Sequence, residues 1–317
     1  QAFIGFSQSP SQLWDTETWQ TTSTLTEESY SPSSAAYSPD GEFVLTGHRD
    51  DTARLWNAET GDLVHTLAHS ADVTAVTFSA DGRYVFIGSR DGHATLWDLS
   101  VNSQVRTYDH GYQIDSVALS PDGRHGLTGG ARDTAILWDV ENGRRVQSYE
   151  SPGERNHYFY DGGMHVSFSP DGRHVLIASK QHGTFNFRET FTWREIYAEQ
   201  AHLQPVTSVA YLSDRRQILT ASLDGTLRFW NTATGQNGFA VMRAESGGTL
   251  TWTPEGYFAG DPELAREAVY FVDGLTTIGI DRFFDQYYRP DIIEAKIAGR
   301  DISDLVGART AVASIVP

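Results

Sequence analysis

The sequence predicts an all-β fold built from a repeated unit, because its tryptophans recur at a nearly constant interval. Trp14, Trp56, Trp97 and Trp138 lie 42, 41 and 41 residues apart, and Trp230 follows 92 residues later, which is two intervals of 46. The text before them also recurs, for example SPDGEFVLTGHRDDTARLW at 38–56 and SPDGRHGLTGGARDTAILW at 120–138. A period of this length indicates repeated supersecondary units that stack on one another.

One unit can be divided into strands from its residues alone. Residues 73–78, 84–88, 94–97 and 105–108 are short runs rich in β-branched and aromatic residues, and turn signals such as Ala80-Asp81-Gly82 separate them. This pattern predicts a four-stranded antiparallel meander. A single such sheet cannot bury both faces, so the units are expected to stack radially against each other.

A period of 40–45 residues that ends in Trp-Asp or Trp-Asn resembles the WD-repeat family, and the resemblance covers residues 1–273. It implies a β-propeller. Two polar sets match the structural tetrad of that family: His69, Ser89, Asp91 and Trp97, and then His202, Ser222, Asp224 and Trp230. The resemblance implies that each set forms a hydrogen-bonded chain that holds its blade together. A His–Ser–Asp set is also typical of hydrolases, but its repetition in blades with a tryptophan favours the structural interpretation.

The number of blades depends on the two ends of the chain. Five units are complete, at 31–67, 68–108, 109–149, 150–200 and 201–242; the fourth is the most divergent and carries an insertion at 151–163. At the N-terminal end, a partial unit lacks its inner strand. At the C-terminal end, residues 249–260 predict an inner and a second strand, and Phe271 falls on a third. Asp261-Pro262-Glu263 predicts a helix inserted between them. We therefore expect seven blades; in the alternative, the C-terminal inner strand completes the N-terminal blade and leaves six.

Residues 274–317 are expected to form a short, mainly helical extension. Phe283, Phe284, Tyr287 and Tyr288 have helical spacing, and they favour packing against the propeller. A second helix is predicted from Pro290, with Ile292, Ile293 and Ile297 on one face and Gly299 as its stop. Residues 253–300 also resemble the end of the propeller in bacterial WD-repeat proteins that are associated with a caspase-like peptidase domain. This resemblance implies a covalently linked effector domain outside these residues, because the chain has no cysteine to serve as the nucleophile.

The charge and the residue composition of the chain argue against some classes of binding partner. The chain has 317 residues with 24 Lys and Arg against 41 Asp and Glu, a net charge of −17. An acidic protein is a poor ligand for nucleic acid or for an anionic membrane surface, so neither is expected as a partner. No apolar run approaches the length of a membrane span. The absence of cysteine excludes disulfides and thiolate metal sites within this chain, and no cofactor is expected. The sequence does not indicate a compartment.

The sequence favours a non-catalytic platform or sensor module for protein binding. Arg49 and Arg90 directly precede the Asp position of their repeats, and Arg132 occupies that position in the third unit. Equivalent positions in successive blades project on the same face, so these arginines predict a basic rim that binds an acidic protein segment. The alternative is a propeller enzyme with a metal or hydrolytic site in its channel, built from His48, His93, His125 or His174. No zinc-binding, nucleophile-elbow or phosphate-loop motif supports that alternative.

Overall fold

The protein consists mainly of antiparallel sheets in two compact units, Gln1–Glu199 and Gln200–Pro317. The computed structural model describes residues 2–4, 11–15, 17–18, 20–25, 32–151, 163–212, 216–244, 247–273, 276–279, 284–300 and 302–306. Structural statements below concern these residues. Phe283 and most of the insertion at 151–163 lie outside them. No helix in the described part of the chain is long and apolar enough to cross a membrane.

The first unit contains one three-stranded and four four-stranded sheets among its described residues. The N-terminal sheet has strands β1 (Ala2–Ile4), β2 (Gln12–Trp14) and β3 (Thr21–Thr24). Sheet I has β4 (Ser34–Tyr37), β5 (Phe43–Gly47), β6 (Thr52–Asn57) and β7 (Leu63–Ala68). Sheet II has β8 (Val73–Phe78), β9 (Tyr84–Ser89), β10 (His93–Asp98) and β11 (Ser103–Asp109). Sheet III has β12 (Ile114–Leu119), β13 (His125–Gly130), β14 (Thr134–Asp139) and β15 (Arg145–Glu150). Sheet IV has β16 (Met164–Phe168), β17 (His174–Ser179), β18 (Thr184–Glu189) and β19 (Glu195–Gln200), whose last residue already belongs to the second unit.

Each of these sheets is the meander that the sequence predicts. In sheet II the strand order is β8, β9, β10, β11 with antiparallel pairing throughout. Gly82 adopts a φ of 71° in the turn between β8 and β9, a conformation that glycine adopts without steric cost. The predicted strands of the N-terminal partial unit are also confirmed, since β1, β2 and β3 pair in that order.

Successive sheets of the first unit pack face to face and bury an apolar layer at each junction. Between sheets I and II this layer includes Leu45, Leu55, Val73, Phe78 and Ile87. Equivalent layers join sheet II to sheet III and sheet III to sheet IV, and a smaller one joins the N-terminal sheet to sheet I. The expected stacking is therefore present in this unit.

The second unit contains a six-stranded sheet that departs from the predicted arrangement. Its strands are β20 (Val206–Tyr211), β21 (Gln217–Ser222), β22 (Thr226–Asn231), β23 (Asn237–Arg243), β24 (Thr249–Trp252) and β25 (Phe258–Gly260). The strand–turn–strand pattern of residues 249–260 is confirmed, but β24 pairs with the outer strand β23 instead of starting a separate blade. The short connection after Arg243 allows β24 to fold straight back onto the free edge of β23. The number of blades stays a prediction.

Both helices predicted for the second unit, one after Asp261 and one from Pro290, are present. Helix α1 (Pro262–Ala268) is capped by Asp261, whose side chain accepts hydrogen bonds from the amides of Glu263 and Leu264. Strands β26 (Tyr270–Asp273), which contains the predicted Phe271, and β27 (Thr276–Gly279) form a separate hairpin. Helices α2 (Phe284–Tyr287), α3 (Pro290–Ile297) and α4 (Ser303–Val306) complete the described residues.

The aromatic residues of this extension pack onto β25, as expected. Phe258 contacts the rings of Phe284 and Tyr288 with centroids 5.3 and 5.7 Å away, and all three belong to one apolar cluster. On α3 the buried face is formed by Ile292, Ile293 and Ala295, whereas Ile297 is 53% exposed. Ile297 lies four residues after Ile293, on the same side of α3 but in its last turn, where the side chain is no longer covered. The domain boundary at 273/274 stays a prediction.

Candidate functional site

A hydrogen-bonded chain links strands β21 and β22 of the six-stranded sheet to the segment that precedes β20. Trp230 Nε1 donates to Thr220 Oγ1 over 2.9 Å, and Thr220 Oγ1 lies 2.7 Å from His202 Nε2. His202 Nδ1 lies 3.0 Å from Asp224 Oδ2. The network assigns one direction to the protons, from the indole through the hydroxyl and the imidazole to the carboxylate. The chain is largely buried and each of its groups has a partner, an arrangement that stabilises a sheet.

The hydroxyl in this chain belongs to Thr220, not to the predicted Ser222. Ser222 Oγ instead donates to the backbone oxygen of Gln204 over 3.0 Å. On the paired strands β21 and β22, Trp230 lies opposite Ile218, two residues before Thr220, so the threonine and the tryptophan are diagonal neighbours ten residues apart in sequence. Side chains alternate along a strand, and Thr220 lies on the face of β21 where it reaches the indole. A threonine ten residues before the tryptophan was the signal that sequence reasoning missed.

The same threonine position recurs in two sheets of the first unit. In sheet I, Trp56 Nε1 donates to Thr46 Oγ1 over 2.7 Å, and Thr46 Oγ1 lies 2.8 Å from His48 Nε2. His48 therefore supplies the imidazole from a position that sequence reasoning left outside the tetrad. In sheet III, Trp138 donates to Thr128 over 2.9 Å, and Thr128 lies 2.8 Å from His110 Nδ1.

The predicted tetrad of sheet II does not form a continuous chain. His69 Nε2 lies 2.6 Å from Thr95 Oγ1, and Ser89 Oγ donates to Asp91 Oδ1 over 2.6 Å. Trp97 Nε1 is buried and has no hydrogen-bond partner among the described residues. The reason is Ile87, which occupies the position of Thr220 and offers no hydroxyl. The imidazole of His69 and the indole of Trp97 are in ring contact only, with centroids 6.0 Å apart.

Asp91 stabilises the turn between β9 and β10 rather than the tryptophan. Its carboxylate accepts hydrogen bonds from Ser70 Oγ, Ser89 Oγ and the amide of His93. Partial burial raises the pKa of Asp91, but these hydrogen bonds outweigh it and lower the pKa to about 2. The carboxylate is therefore ionised at neutral pH, and it fixes the conformation of the turn that carries Arg90.

A pocket of about 600 Å³ opens in the first unit beside these turns, and we call it the rim pocket. It lies where the inner strands β4, β8, β12 and β16 approach each other. Its lining combines three cations, two carboxylates, one imidazole and several hydroxyl-bearing residues: Arg49, Arg90, Lys180, Asp72, Asp115, His165, Ser33, Ser34, Thr74 and Ser116, together with Gln113 and four small apolar residues.

Two of the three predicted arginines line the rim pocket. Arg90 Nη1 lies 3.4 Å from Asp72 Oδ2, and Arg90 is 67% exposed. Arg49 is exposed and is not hydrogen-bonded to any described residue. The third cation is Lys180, which occupies in sheet IV the position of Arg90 in sheet II. Its ammonium lies 3.5 Å from Asp115 Oδ1. The rim pocket thus brings together Arg49, Arg90 and Lys180, whereas the predicted set was Arg49, Arg90 and Arg132.

Arg132 lies in the equivalent turn of sheet III but does not line the rim pocket. Its guanidinium packs over the Tyr112 ring at 4.3 Å from the centroid and donates to the Tyr112 hydroxyl over 3.0 Å. It is one position later in the repeat than Arg49 and Arg90, and it adopts a φ of 62°. That left-handed conformation directs its side chain away from the pocket. The next residue, Asp133, accepts a hydrogen bond from Ser179 of sheet IV over 3.0 Å.

The innermost ionisable group of the rim pocket is His165, on β16. Its Nε2 is buried without a hydrogen-bond partner in the described structure. Burial lowers the pKa of His165 to about 4, and the nearby Lys180 ammonium adds to this effect. His165 is therefore neutral at physiological pH. Sequence reasoning missed it because nothing in the repeat distinguishes an inner-strand residue that faces a pocket from one that faces solvent.

The histidines proposed for a channel enzyme do not converge. Among the described residues, no three His, Asp or Glu side chains are grouped so that they could hold a metal ion. His48 belongs to the buried chain of sheet I. His125 stacks edge-on against Phe191, and His174 stacks on Phe187, both in positions that follow Asp-Gly turns. His93 contacts Asp91 in a turn.

Comparison with known proteins identifies the repeats. The family model described as WD domain, G-beta repeat matches residues 19–57, 61–98, 102–139 and 193–231. The chain is 37% identical over 80 residues to WD repeat-containing protein 90 of Mus musculus, covering 25% of this chain and 4% of that protein. It is 31% identical over 98 residues to the 66 kDa stress protein of Physarum polycephalum, covering 28% and 15%. It is 43% identical over 56 residues to protein tipD of Dictyostelium discoideum, covering 18% and 9%. The matches therefore span only a small part of each relative.

Proposed function

We propose that this chain, which carries WD40 repeats, is a non-catalytic scaffold or sensor module that binds an acidic protein segment at the rim pocket. WD40 repeats generally mediate protein–protein interaction, and the fold offers a rigid array of sheets whose turns carry variable side chains. The observation that carries the proposal is the convergence of Arg49, Arg90 and Lys180 from three different sheets.

Electrostatics favours an acidic segment over a basic one at this place. The protein as a whole has a net charge of −17, so a local group of three cations stands out from its surroundings. Guanidinium groups bind carboxylates through paired hydrogen bonds, and an exposed guanidinium retains most of its freedom to do so. Arg132, held by Tyr112, would extend the basic surface beside the pocket. Nucleic acid and anionic membranes are not proposed as partners, because the same net charge repels them.

We also propose that the chain is linked to an effector domain. Residues 253–300 resemble the corresponding region of bacterial WD-repeat proteins with a caspase-like peptidase domain, and this supports a linked effector that responds to binding at the propeller. No observation in the described residues favours the alternative of a propeller enzyme.

The test is affinity capture from the source organism with the whole chain as bait. The double variant Arg49→Ala/Arg90→Ala removes two of the three pocket cations; both side chains are exposed, so the melting temperature should stay within about 2 °C of wild type. Capture of the partner should fall at least tenfold. The matched control is Arg124→Ala/Arg144→Ala, which removes two exposed arginines elsewhere and should capture as wild type does. An identical set of captured proteins for both double variants would contradict the proposal.

A further inference from the structure

We propose that Lys180 and His165 form a carboxylate subsite at the inner end of the rim pocket, which accepts one Asp or Glu side chain of the partner's acidic segment. This inference rests on the proposed function and names the group that enters the pocket. It concerns two residues of sheet IV, Lys180 at the repeat position of Arg90 and His165 on the inner strand β16.

The three cationic and two carboxylate side chains of the rim pocket leave one positive charge unbalanced, which one anion would neutralise. Asp72 and Asp115 are each matched by one cation, Arg90 and Lys180 respectively, at 3.4 and 3.5 Å. Both distances are longer than a close charge-assisted hydrogen bond of about 2.7–2.9 Å, so neither cation is saturated. Gln113 Nε2 also donates to Asp115 over 3.1 Å and shares in holding that carboxylate. Arg49 remains as a surplus positive charge, and an incoming carboxylate would balance it.

Two hydroxyl groups of the lining are already used as donors. Ser33 Oγ donates to the backbone oxygens of Gly47 and Val73. Thr74 Oγ1 donates to those of Gly88 and Ile114. Since each hydroxyl has a single proton, these groups cannot readily donate to a ligand as well. The donors that stay available include the three cations, the imidazole of His165 and the hydroxyl of Ser34, which accepts from the Val76 amide. This set suits an acceptor-only group such as a carboxylate.

His165 is the second, independent indication of a ligand. A buried polar nitrogen without a partner destabilises the free protein, and a ligand that pairs with it removes that cost. The neutral imidazole carries one N–H, and with that proton on Nε2 it would donate to a carboxylate oxygen. A carboxylate there would also lie near the Lys180 ammonium, because the Lys180 charge is close enough to lower the pKa of His165. The bound anion would reverse that influence and raise the pKa of His165.

Contacts at the junction of sheets III and IV hold Lys180 in position. The Lys180 amide donates to the oxygen of Gly163 over 2.8 Å, which fixes the backbone next to the inner strand. A Cβ at Gly163 would lie 2.1 Å from Asp115 Oδ2, so only glycine lets the carboxylate of Asp115 approach this closely. Asp115 in turn holds the Lys180 ammonium at the pocket. Three residues from two sheets thus orient the cation before any ligand is bound, which favours affinity.

The experiment follows the imidazole signals of His165 by NMR in the whole chain. The probe is a peptide, blocked at both ends, with a short run of glutamates between glycines and serines. The comparison peptide has glutamine in place of glutamate. The glutamate peptide should shift the His165 signals in a saturable way and raise the pKa of His165 above about 4, whereas the glutamine peptide should do neither. The signals of His125 and His174, which are not in the rim pocket, serve as internal references.

Matched variants test the role of the lysine. Lys180→Met should weaken binding of the glutamate peptide by roughly tenfold or more, as expected when a charged hydrogen-bond donor is lost. Lys180→Arg should retain binding, because it keeps the charge. The control is Lys296→Met, which removes the only other lysine of the chain, at 2.7 Å from Glu255 and outside the pocket. It should bind the peptide as wild type does.

Three results would overturn the inference. Equal shifts from the glutamate and glutamine peptides would show that the subsite does not select carboxylates. Unchanged affinity of the Lys180→Met variant for the glutamate peptide would show that Lys180 is not part of the subsite. Saturation by free glutarate at the same concentrations as the peptide would assign the subsite to a small dicarboxylate instead of a protein segment. If any of these occurs while the Arg49→Ala/Arg90→Ala variant still loses its captured partner, the proposed function stands and only the subsite is wrong.

Discussion

At the scale of single residues, one threonine decides whether a tryptophan of this repeat is hydrogen-bonded. Thr46, Thr128 and Thr220 each accept from the indole ten residues later, and each lies within 2.8 Å of an imidazole nitrogen. Sheet II has Ile87 at this position, and its tryptophan N–H stays unpartnered. The serines singled out from the sequence, Ser89 and Ser222, instead stabilise the adjacent turns.

Thr220→Val should lower the free energy of unfolding by about 2–4 kcal/mol. The substitution keeps the shape but leaves Trp230 Nε1 and His202 Nε2 without their buried partner, and each unpaired group costs about 1–3 kcal/mol. Ser222→Ala, two residues away on the same strand, should cost less than about 1.5 kcal/mol. Ile87→Val is the control for the loss of volume in a sheet without the hydroxyl, at about 0.5–1.5 kcal/mol. Chemical denaturation measures all three, and equal losses for Thr220→Val and Ser222→Ala would contradict the assignment.

At the scale of elements, the approach of one sheet to the next depends on a glycine in the second strand. Gly47, Gly88 and Gly129 recur at intervals of 41 residues. A Cβ at each would lie 2.5–2.6 Å from an atom of the following sheet: Val73, Ile114 and Met164 respectively. The missing side chain allows the inner strand of the next sheet to pack directly on the backbone, which brings successive inner strands together around the rim pocket.

Gly88→Ala should therefore destabilise the protein by about 1–3 kcal/mol, the usual cost of overpacking a core. The added methyl would meet the β-branched side chains of Ile114 and Val117 at 2.5 and 2.8 Å, and neither can move away easily. Gly238→Ala is the matched control on β23, where the nearest atom to a new Cβ is at 3.4 Å. It should be neutral or stabilising by up to about 1 kcal/mol, because alanine restricts the unfolded chain. Thermal or chemical denaturation compares the two, and a neutral Gly88→Ala would refute the close-approach argument.

At the scale of the whole molecule, several histidines are kept neutral by burial. Burial lowers the pKa of His69 and of His202, and lowers the pKa of both His110 and His165 to about 4. These residues come from sheets in both units. Since the unfolded chain takes up protons near pH 6.5 while the folded protein does not, folding becomes less favourable as the solution is acidified.

We expect the free energy of unfolding to fall steadily from about pH 6.5 to about pH 4. The folded pKa of His110 is below its unfolded value, so its contribution is complete above pH 6.5 and is lost as the pH falls through about 4. Over this range one such residue contributes a slope of about 1.4 kcal/mol per pH unit. His110→Gln should lower stability at neutral pH and flatten the dependence by that amount. Denaturation at a series of pH values measures the slope; an unchanged slope in His110→Gln would mean that His110 titrates normally when folded.

The sequence by itself determined the local structure of this protein. The tryptophan period, the alternating apolar runs and the Asp-Gly turns predicted the strands of sheet II and the antiparallel meander. The Asp261-Pro262 signal predicted α1. Helix caps, turn residues and strand alternation act over a few residues, so they can be read from neighbouring letters of the sequence. The WD40 repeats follow from the same short-range repetition.

Only the tertiary structure decided which distant groups meet. It selected Thr220 over Ser222, because the alternation of a strand and the neighbouring sheet together determine which hydroxyl reaches the indole. It placed β24 on the edge of β23, because an unpaired strand edge is satisfied by whichever strand is near enough. It directed Arg132 onto Tyr112 and brought His165 and Lys180 to the rim pocket. These outcomes depend on contacts between residues far apart in sequence, and no local pattern encodes the energies of such contacts.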